Sequence, residues 1–251
     1  MLRETEAFVL LSHPLGESDR VVTFLTRTAG KVRGVAKGAR RSRRRFGANL
    51  LALSKVRLQY VESERSALAR IESAELLESY FDLQADPARA ATLACFAEVA
   101  DAFAREQQED EAFFRLLGAV LRAVRQGLDL EWAARYFEIW TLRLHGVLPD
   151  LADCGVCGKP LQGRGGRLLR REEIVACPSC GGRSAGDPVL PPAAIQAAAA
   201  ILKVAPEGLL GRPVDPRALR PLAALAAARF LDLTETRFRS YEVLERLRRD
   251  G

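Results

Sequence analysis

Two Cys-x2-Cys knuckles constrain this 251-residue chain more than any other feature. Cys154 and Cys157 form one, Cys177 and Cys180 form the other, and 19 residues lie between them. Two such pairs at this distance match a tetrahedral site in which four thiolates hold one zinc ion. Gly155, Gly158, Gly181 and Gly182 allow the tight turns that aim two sulfurs at one ion. Between the knuckles, residues 167–170 and 174–176 read as the arms of a hairpin. Four sulfur ligands leave no position for water, so the expected Zn2+ is structural and not catalytic. The remaining cysteine, Cys95, is spaced with Thr92, Val99 and Ala102 along a helix and reads as a small buried residue. Cysteines in a chain without an export signal fit a reducing compartment, where pairing favours metal over disulfide.

A second feature is electrostatic. From Lys31 to Arg45 the chain carries Lys31, Arg33, Lys37, Arg40, Arg41, Arg43, Arg44 and Arg45, with no carboxylate among them. The whole chain has 38 Lys and Arg against 32 Asp and Glu. Outside this stretch the balance is 30 against 32, so the basicity of the chain as a whole rests on it. A local positive stripe is a footprint for a polyanion, most often nucleic acid, although a solvated loop or a localisation signal has the same composition. Lys31, Arg33, Val35 and Lys37 alternate with Val32, Gly34 and Ala36, which places the cations on one face of a strand. Gly30, Gly34 and Gly38 permit a turn, a bend and an exit, and 40–45 follow as a basic loop. Lys55 and Arg57 are flanking candidates for the same polyanion, and Phe46 is a candidate to stack on a base.

The rest of the chain divides by composition. Residues 1 to about 75 are rich in Val, Thr and Phe, with strands expected at 8–12, 20–28, 31–37, 51–60 and 67–71. Five short strands in so short a segment fit a small closed barrel. Near Glu75 the chain turns to Ala, Leu and Glu, and Asp86-Pro87 reads as a helix start. Leu93, Phe96, Ala100 and Phe103 make one helical stripe, and Phe113, Leu116, Leu117, Val120, Leu121 and Val124 another. Trp132, Tyr136, Ile139 and Arg143 share one face of a third helix, with Phe137, Trp140 and Leu144 beside it, which marks a central helix. After the knuckles, Pro191-Pro192 opens a helix to Lys203, and Asp215-Pro216 starts another with a stripe of Leu219, Leu222, Leu225, Ala226, Arg229 and Phe230. A last helix over 237–249 carries Phe238, Tyr241, Leu244 and Leu247. The expected class is α+β and multidomain: a barrel over 1–78, a helical body over 79–150 and 187–251, and a zinc knuckle over 151–186 inserted in that body. A content of 48% apolar and 28% charged residues, with no membrane-length apolar run, fits a soluble protein without a membrane partner. Arg3, Glu4 and Glu6 break any signal-peptide pattern.

No catalytic constellation emerges. The two histidines are His13 and His145, the latter before Gly146 at a helix end, where a positive tip suits the helix dipole. Gly30-Lys31 and Gly158-Lys159 lack the neighbours of a phosphate-binding loop. The Lys-x-Asp-Gly motif of nucleotidyl-transferring ligases is missing. Glu4, Glu6, Glu17 and Asp19 are carboxylates that could hold a metal, as in a metal-dependent nuclease, but two of them belong to a Gly-Glu-x-Asp-Arg turn. The chain reads as a non-enzyme.

The run G-E-S-D-R-V-V-T-F-L-T-R-T-A-G-K-V-R-G-V-A-K-G-A-R-R from Gly16 resembles the amino-terminal region of RecO, a family of bacterial recombination mediators. That family shows a similar Gly-Glu-x-Asp-Arg turn, a strand ending in Phe-x-Thr, and a G-K-x-R-G-V-A-K-G-A-R-like segment. The segment W-T-L-R-L-H-G-V-L-P from Trp140 resembles the RecO segment leading into its cysteine site, a site that some members keep and others have lost. The resemblance implies that the barrel is an oligonucleotide-binding (OB) fold. It implies a cytoplasmic, nucleoid-associated protein that binds single- and double-stranded DNA, anneals complementary strands, acts on DNA coated with single-strand-binding protein (SSB), and with RecR helps load RecA. It also implies that the helical domain holds the acidic, Phe-ending SSB tail. Leu117, Leu121 and Val124 beside Arg122, Arg125 and Arg135 are the expected apolar floor and basic rim. The rival readings are a protein-interaction scaffold and an RNA-binding OB protein.

Overall fold

The computed structural model describes residues 1–41, 46, 49–63, 66–182 and 186–250, with the side chains of 63, 245 and 247–250 also set aside. Arg43, Arg44 and Arg45, and the side chain of Leu247, therefore lie outside the described residues. Five strands form the amino-terminal barrel: β1 (Leu2–Leu15), β2 (Asp19–Thr26), β3 (Gly30–Ala36), β4 (Lys55–Ser63) and β5 (Ser66–Glu78). They close in the order β1-β2-β3-β5-β4, with β4 returning to β1. Every neighbouring pair is antiparallel except β3 and β5, which run parallel. This is an OB-like barrel.

Alternation builds its core. Val22 and Phe24 of β2, Val32 and Ala36 of β3, and Val56, Leu58 and Tyr60 of β4 point inward. Ala69, Ile71 and Ala74 of β5 complete the layer. Phe46 joins this core with no exposed surface, so it is a barrel plug and not a base-stacking ring. The basic strand behaves as its period of two demands: Val32, Gly34 and Ala36 are buried while Arg33 is exposed. Gly34 lies opposite Ala69 at the parallel seam, and a Cβ there would stand 2.4 Å from Ile71 Cδ1 and 2.8 Å from the Ala69 carbonyl oxygen. Only glycine lets β3 approach β5 closely enough to close the barrel.

The strands differ from expectation at their ends. β1 starts at Leu2, because residues 2–8 pair along β4. β4 starts at Lys55 and not near 51, because Leu53 turns back at φ +63° and its amide bonds the Val9 carbonyl at 2.6 Å. β5 runs on to Glu78 despite its Ala, Leu and Glu content. Its carboxylates meet cations of β4 across the pair: Glu75 lies 3.0 Å from Arg57 and Glu78 lies 3.6 Å from Lys55. Closure and cross-strand charge override weak strand propensity.

The helices are α1 (Pro87–Phe103), α2 (Glu111–Arg125), α3 (Leu130–Leu144), α4 (Pro192–Lys203), α5 (Pro216–Thr234) and α6 (Arg239–Asp250). Asp86 and Asp215 cap α1 and α5 by accepting amide hydrogen bonds at 2.8 and 2.9 Å, with proline at the first turn of each. None of the helices among the described residues is long and apolar enough to cross a membrane. The chain forms two compact units, Met1–Gly118 with Phe238–Gly251, and Ala119–Arg237. The helical segments thus do not make one body: α1 and α6 belong with the barrel. Within that first unit Phe8, on the outer face of β1, meets Phe114 with ring centroids 4.9 Å apart. The Glu98 carboxylate of α1 accepts the Arg239 and Ser240 amides at 3.0 and 2.9 Å, which holds the start of α6.

In the second unit α3 is buried almost all round, as its composition foretold. Its polar tips reach main-chain oxygens: Trp132 Nε1 to Pro213 at 3.2 Å, Tyr136 Oη to Val204 at 3.1 Å, and Trp140 Nε1 to Ile201 at 3.1 Å. The hairpin expected between the knuckles is present as β6 (Gly166–Leu169) and β7 (Ile174–Ala176). A third strand, β8 (Val189–Leu190), pairs with the other edge of β6.

Lys31, expected at the polyanion surface, is instead a joint of the first unit. Its amide bonds the Arg105 carbonyl at 2.8 Å, its ammonium bonds the Asp101 main-chain oxygen, and the Asp101 carboxylate lies 3.4 Å away. The side chain is 17% exposed, so the pair is only partly screened. Lys31→Met should cost about 1–2 kcal/mol of stability, read as a lower thermal midpoint, while leaving the salt dependence of nucleic-acid binding unchanged. A flattened salt dependence with unchanged stability would return Lys31 to the binding surface.

Candidate nucleic-acid interface and metal centre

Four described cations of the basic stretch remain at the surface. Arg33 projects from the outer face of β3, and Lys37, Arg40 and Arg41 lie where the chain leaves the barrel. The turn between β1 and β2 braces this exit. Register places Arg20 opposite Ala36, which brings Asp19 beside the residues that follow β3. Asp19 Oδ1 accepts the Gly38 amide at 2.8 Å, and the Ser18 carbonyl accepts the Arg40 amide at 3.0 Å. The Gly38 hydrogen bond, helped by the Ser18 hydroxyl, holds the Asp19 carboxyl below the usual carboxylate range. The side chains of Arg40 and Arg41 make only long contacts with this turn, 3.4 Å to the Gly16 oxygen and 3.9 Å to Glu17. Their charges are therefore available to a solvent-side anion.

Lys55 and Arg57 stand elsewhere, in a ladder of alternating charge on β1, β4 and β5. Lys55 sits 3.2 Å from Glu6 and 3.6 Å from Glu78, and Arg57 sits 3.0 Å from Glu75 and 3.9 Å from Glu4. Arg3 and Glu62 extend the ladder at 2.9 Å. A face that already neutralises itself has little attraction for a polyanion. The cationic surface of the described barrel is thus the β3 face and its exit.

The expected partner surface on the helices does not form. Leu117 and Leu121 are fully buried and Val124 nearly so, and they offer no apolar floor. Arg135 is 1% exposed, with its guanidinium bonded to Glu138 at 2.7 and 2.6 Å and Glu131 at 3.5 Å. On a helix apolar on every side, an arginine with carboxylates three residues ahead and four behind is a buried pair and not a rim. Arg122 and Arg125 are exposed.

A pocket of about 430 Å³ lies in the second unit instead. Leu148, Pro149, Leu151, Ile195, Ala199 and Leu202 wall it, and Arg143 and Lys203 stand at its edge beside Asp150. Both cations are exposed, and neither pairs with a described carboxylate. Sequence gave no sign of it, because the end of α3, the following loop and α4 meet only on folding.

The four knuckle cysteines converge, their Sγ atoms all within 4.8 Å of one another. A tetrahedron with metal–sulfur bonds of about 2.3 Å has edges of about 3.8 Å, and Cys157 and Cys177 already stand 3.9 Å apart. The Cys177 amide donates to Cys154 Sγ at 3.2 Å, and this bond leads in holding the Cys154 pKa at about 6, favouring the thiolate a metal needs. Cys180 is pushed to about 12 by hydrogen bonds and like charge from Cys157 and Cys177. That crowding of thiolates is what a bound cation relieves. The residues fit a metal ion.

The module is tied to the helices by charge. Arg229, 1% exposed in α5, bonds Glu173 in the hairpin turn at 3.0 Å and reaches the Val147 oxygen at 3.4 Å. Arg170 of the same hairpin pairs with Asp232. The helical stripe that put Arg229 among apolar positions placed its backbone rightly, and the buried guanidinium is paired as burial requires.

Comparison with known proteins meets this architecture at both ends. The family model described as "Recombination protein O N terminal" matches residues 1–80, and "Recombination protein O C terminal" matches 84–240. A DNA repair protein RecO of Koribacter versatilis is 43% identical over 164 residues, 65% of this chain and 67% of its own. The DNA repair protein RecO of Anaeromyxobacter sp. strain K is 35% identical over 240 residues, 89% of this chain and 93% of its own. That of Geobacter metallireducens is 36% identical over 178 residues, 70% and 72% of the two chains. With one family covering barrel, helices and cysteine module alike, this chain belongs to the recombination protein O family, whose members act in DNA repair.

Proposed function

We propose that this protein is a non-catalytic recombination mediator that binds DNA through the β3 face and exit of its barrel. The observation that carries the reading is the set Arg33, Lys37, Arg40 and Arg41, all exposed on one strand and its exit, while the cations of β4 sit in a ladder of close ion pairs. Phosphate contacts release counterions and are indifferent to sequence, which suits a protein that anneals any complementary pair. Binding of both single and double strands, annealing, and loading of RecA in company with RecR follow as the finer reading, in the cytoplasm. Changing Lys37, Arg40 and Arg41 together to Ala should weaken DNA binding for all sequences and flatten the log–log salt slope by about 2–3. Retained affinity and slope would remove DNA from this face, and preference for RNA, or for neither, would favour the rival readings.

The pocket beside Arg143 and Lys203 supports the second part of the proposal, the docking of the SSB tail. An apolar cavity edged by unpaired cations suits an aromatic ring followed by carboxylates. Arg143→Glu with Lys203→Glu should reduce binding of a tail peptide at least tenfold and slow annealing of SSB-coated strands. Annealing of bare strands should persist in that variant. Persistent peptide binding would place the tail elsewhere.

Zn2+ is the ion we assign to the four cysteines, since soft thiolates in a closed tetrahedral set select it. Protein purified without added metal should contain close to one zinc per chain. Cys177→Ser should lose it and unfold at a lower temperature, while the barrel keeps its DNA affinity. A metal-free wild-type protein with reduced cysteines would contradict the assignment.

A further inference from the structure

The exit of the basic strand contains an acid. Asp19 stands at the start of β2, near Lys37 and next in sequence to Ser18, which holds the Arg40 amide. A carboxylate among phosphate-binding cations works against binding, since it repels the same anion. Its geometry accounts for its presence. Gly38 turns out of β3 at φ +67°, a conformation that ends the strand. Its amide would face water there, but Asp19 Oδ1 accepts it at 2.8 Å. The Ser18 hydroxyl donates to the same Oδ1 at 2.8 Å and orients the carboxylate. Two residues further on, the Arg40 amide is held by the Ser18 carbonyl at 3.0 Å. Two adjacent residues of one turn thus fix alternate amides of the basic segment, with Lys37 before them and Arg41 after.

We propose that Asp19 is a positioning residue: by holding the Gly38 amide, it sets the path on which Lys37, Arg40 and Arg41 present their charges to a nucleic-acid backbone. This deepens the reading of the basic exit as a phosphate-binding surface and rests on it. The carboxylate stays ionised through the neutral range, because the Gly38 and Ser18 hydrogen bonds lower its pKa, so the anchor is a charge-assisted bond. The sign of the expected effect separates geometry from charge. Removing a negative charge near phosphates strengthens binding if charge is all that matters. Removing the acceptor weakens it if the loop must be held.

The experiment uses the full chain and a fluorescent thymidine oligonucleotide of 30 residues titrated at several salt concentrations. Three proteins are compared with the wild type: Asp19→Ala, Asp19→Asn, and the triple alanine change at Lys37, Arg40 and Arg41. Asp19→Ala should lose about threefold to tenfold in affinity, with a salt slope shallower by about one phosphate contact. Asp19→Asn keeps an acceptor oxygen and should recover the affinity and slope. Amide hydrogen exchange at Gly38 and Arg40 should be slow in the wild type and in Asp19→Asn, and fast in Asp19→Ala. Equal or tighter binding by Asp19→Ala, or unprotected Gly38 in the wild type, overturns the proposal. An equal loss in Asp19→Asn also overturns it, since the effect would then be that of charge. If the triple variant binds as the wild type does, the phosphate-binding reading fails by itself. A lower unfolding midpoint in Asp19→Ala with affinity and slope intact would make Asp19 merely structural and also overturn the proposal.

Discussion

The parallel contact of β3 with β5 is where the amino-terminal unit closes, and it allows no side chain at Gly34. Without that contact β3 would be an edge strand, with free main-chain groups and a basic outer face in any of several registers. With it, the register of β2 on β3 is fixed as well, and Arg33 faces outward while Val32 and Ala36 face the core. Closure also determines where the chain can leave. The last pair before the exit is Ala36 with Ile71 on one side and with Arg20 on the other. Lys37 and its successors therefore emerge beside the β1–β2 turn and nowhere else. The charged surface is a consequence of a steric one.

Charge in this molecule separates into paired and unpaired sets, and the separation carries more information than the total. The first unit without residues 31–45 has fourteen Lys and Arg against twenty Asp and Glu, whereas the second unit has sixteen against twelve. The near-neutral remainder of the chain is thus an acidic barrel unit averaged with a basic second unit. Much of the barrel's acidity is spent on cations of β1 and β4, and on Lys31 and Arg27 in the joint with α1 and α2. In the second unit the buried Arg135 and Arg229 each consume carboxylates, because a guanidinium out of water must be paired. Counting charges along a sequence cannot make this distinction. Contacts 23 and 70 residues apart in sequence, Lys55 with Glu78 and Lys31 with Asp101, decide which cations are spent.

Much of the fold was nevertheless legible, wherever a local rule coincided with the tertiary demand. The period of two in 31–37 is the burial pattern of β3, and the Asp-Pro pairs at 86–87 and 215–216 are helix starts with working caps. The cysteine spacing foretold a converged cluster because a knuckle is a local turn. Illegible features were those set by remote partners. Ten of the thirteen residues of β5 are Ala, Leu, Glu or Arg, all good helix formers, and it is a strand because β4 pairs with it. Phe46 reads as an exposed aromatic in a basic loop and is core, because it packs with barrel residues remote from it in sequence. β8 has two residues, too few for any pattern, and exists because β6 has a free edge. The pocket was invisible for the same reason, since its two cations lie sixty residues apart on α3 and α4.

That pocket and the cysteine module share a mechanical path. Cys154 and Cys157 precede β6, Cys177 and Cys180 follow β7, and β8 lies on the opposite edge of β6. Gly166 pairs with Leu190, and the next two residues, Pro191 and Pro192, open α4. Two prolines leave little freedom between strand and helix, so the position of β6 sets the start of α4. Three residues of α4, Ile195, Ala199 and Leu202, wall the pocket together with Leu151, just before the first knuckle. A metal held by the four sulfurs would restrain both ends of this path. It is not the sole restraint, because Arg229 with Glu173, and Arg170 with Asp232, clamp the hairpin onto α5 independently. A module clamped by these pairs, whether or not its sulfurs hold a metal, can lose its cysteines and keep its place. On that argument the thiolates are dispensable wherever the salt bridges and a compensating apolar contact remain, whereas the buried arginine is not.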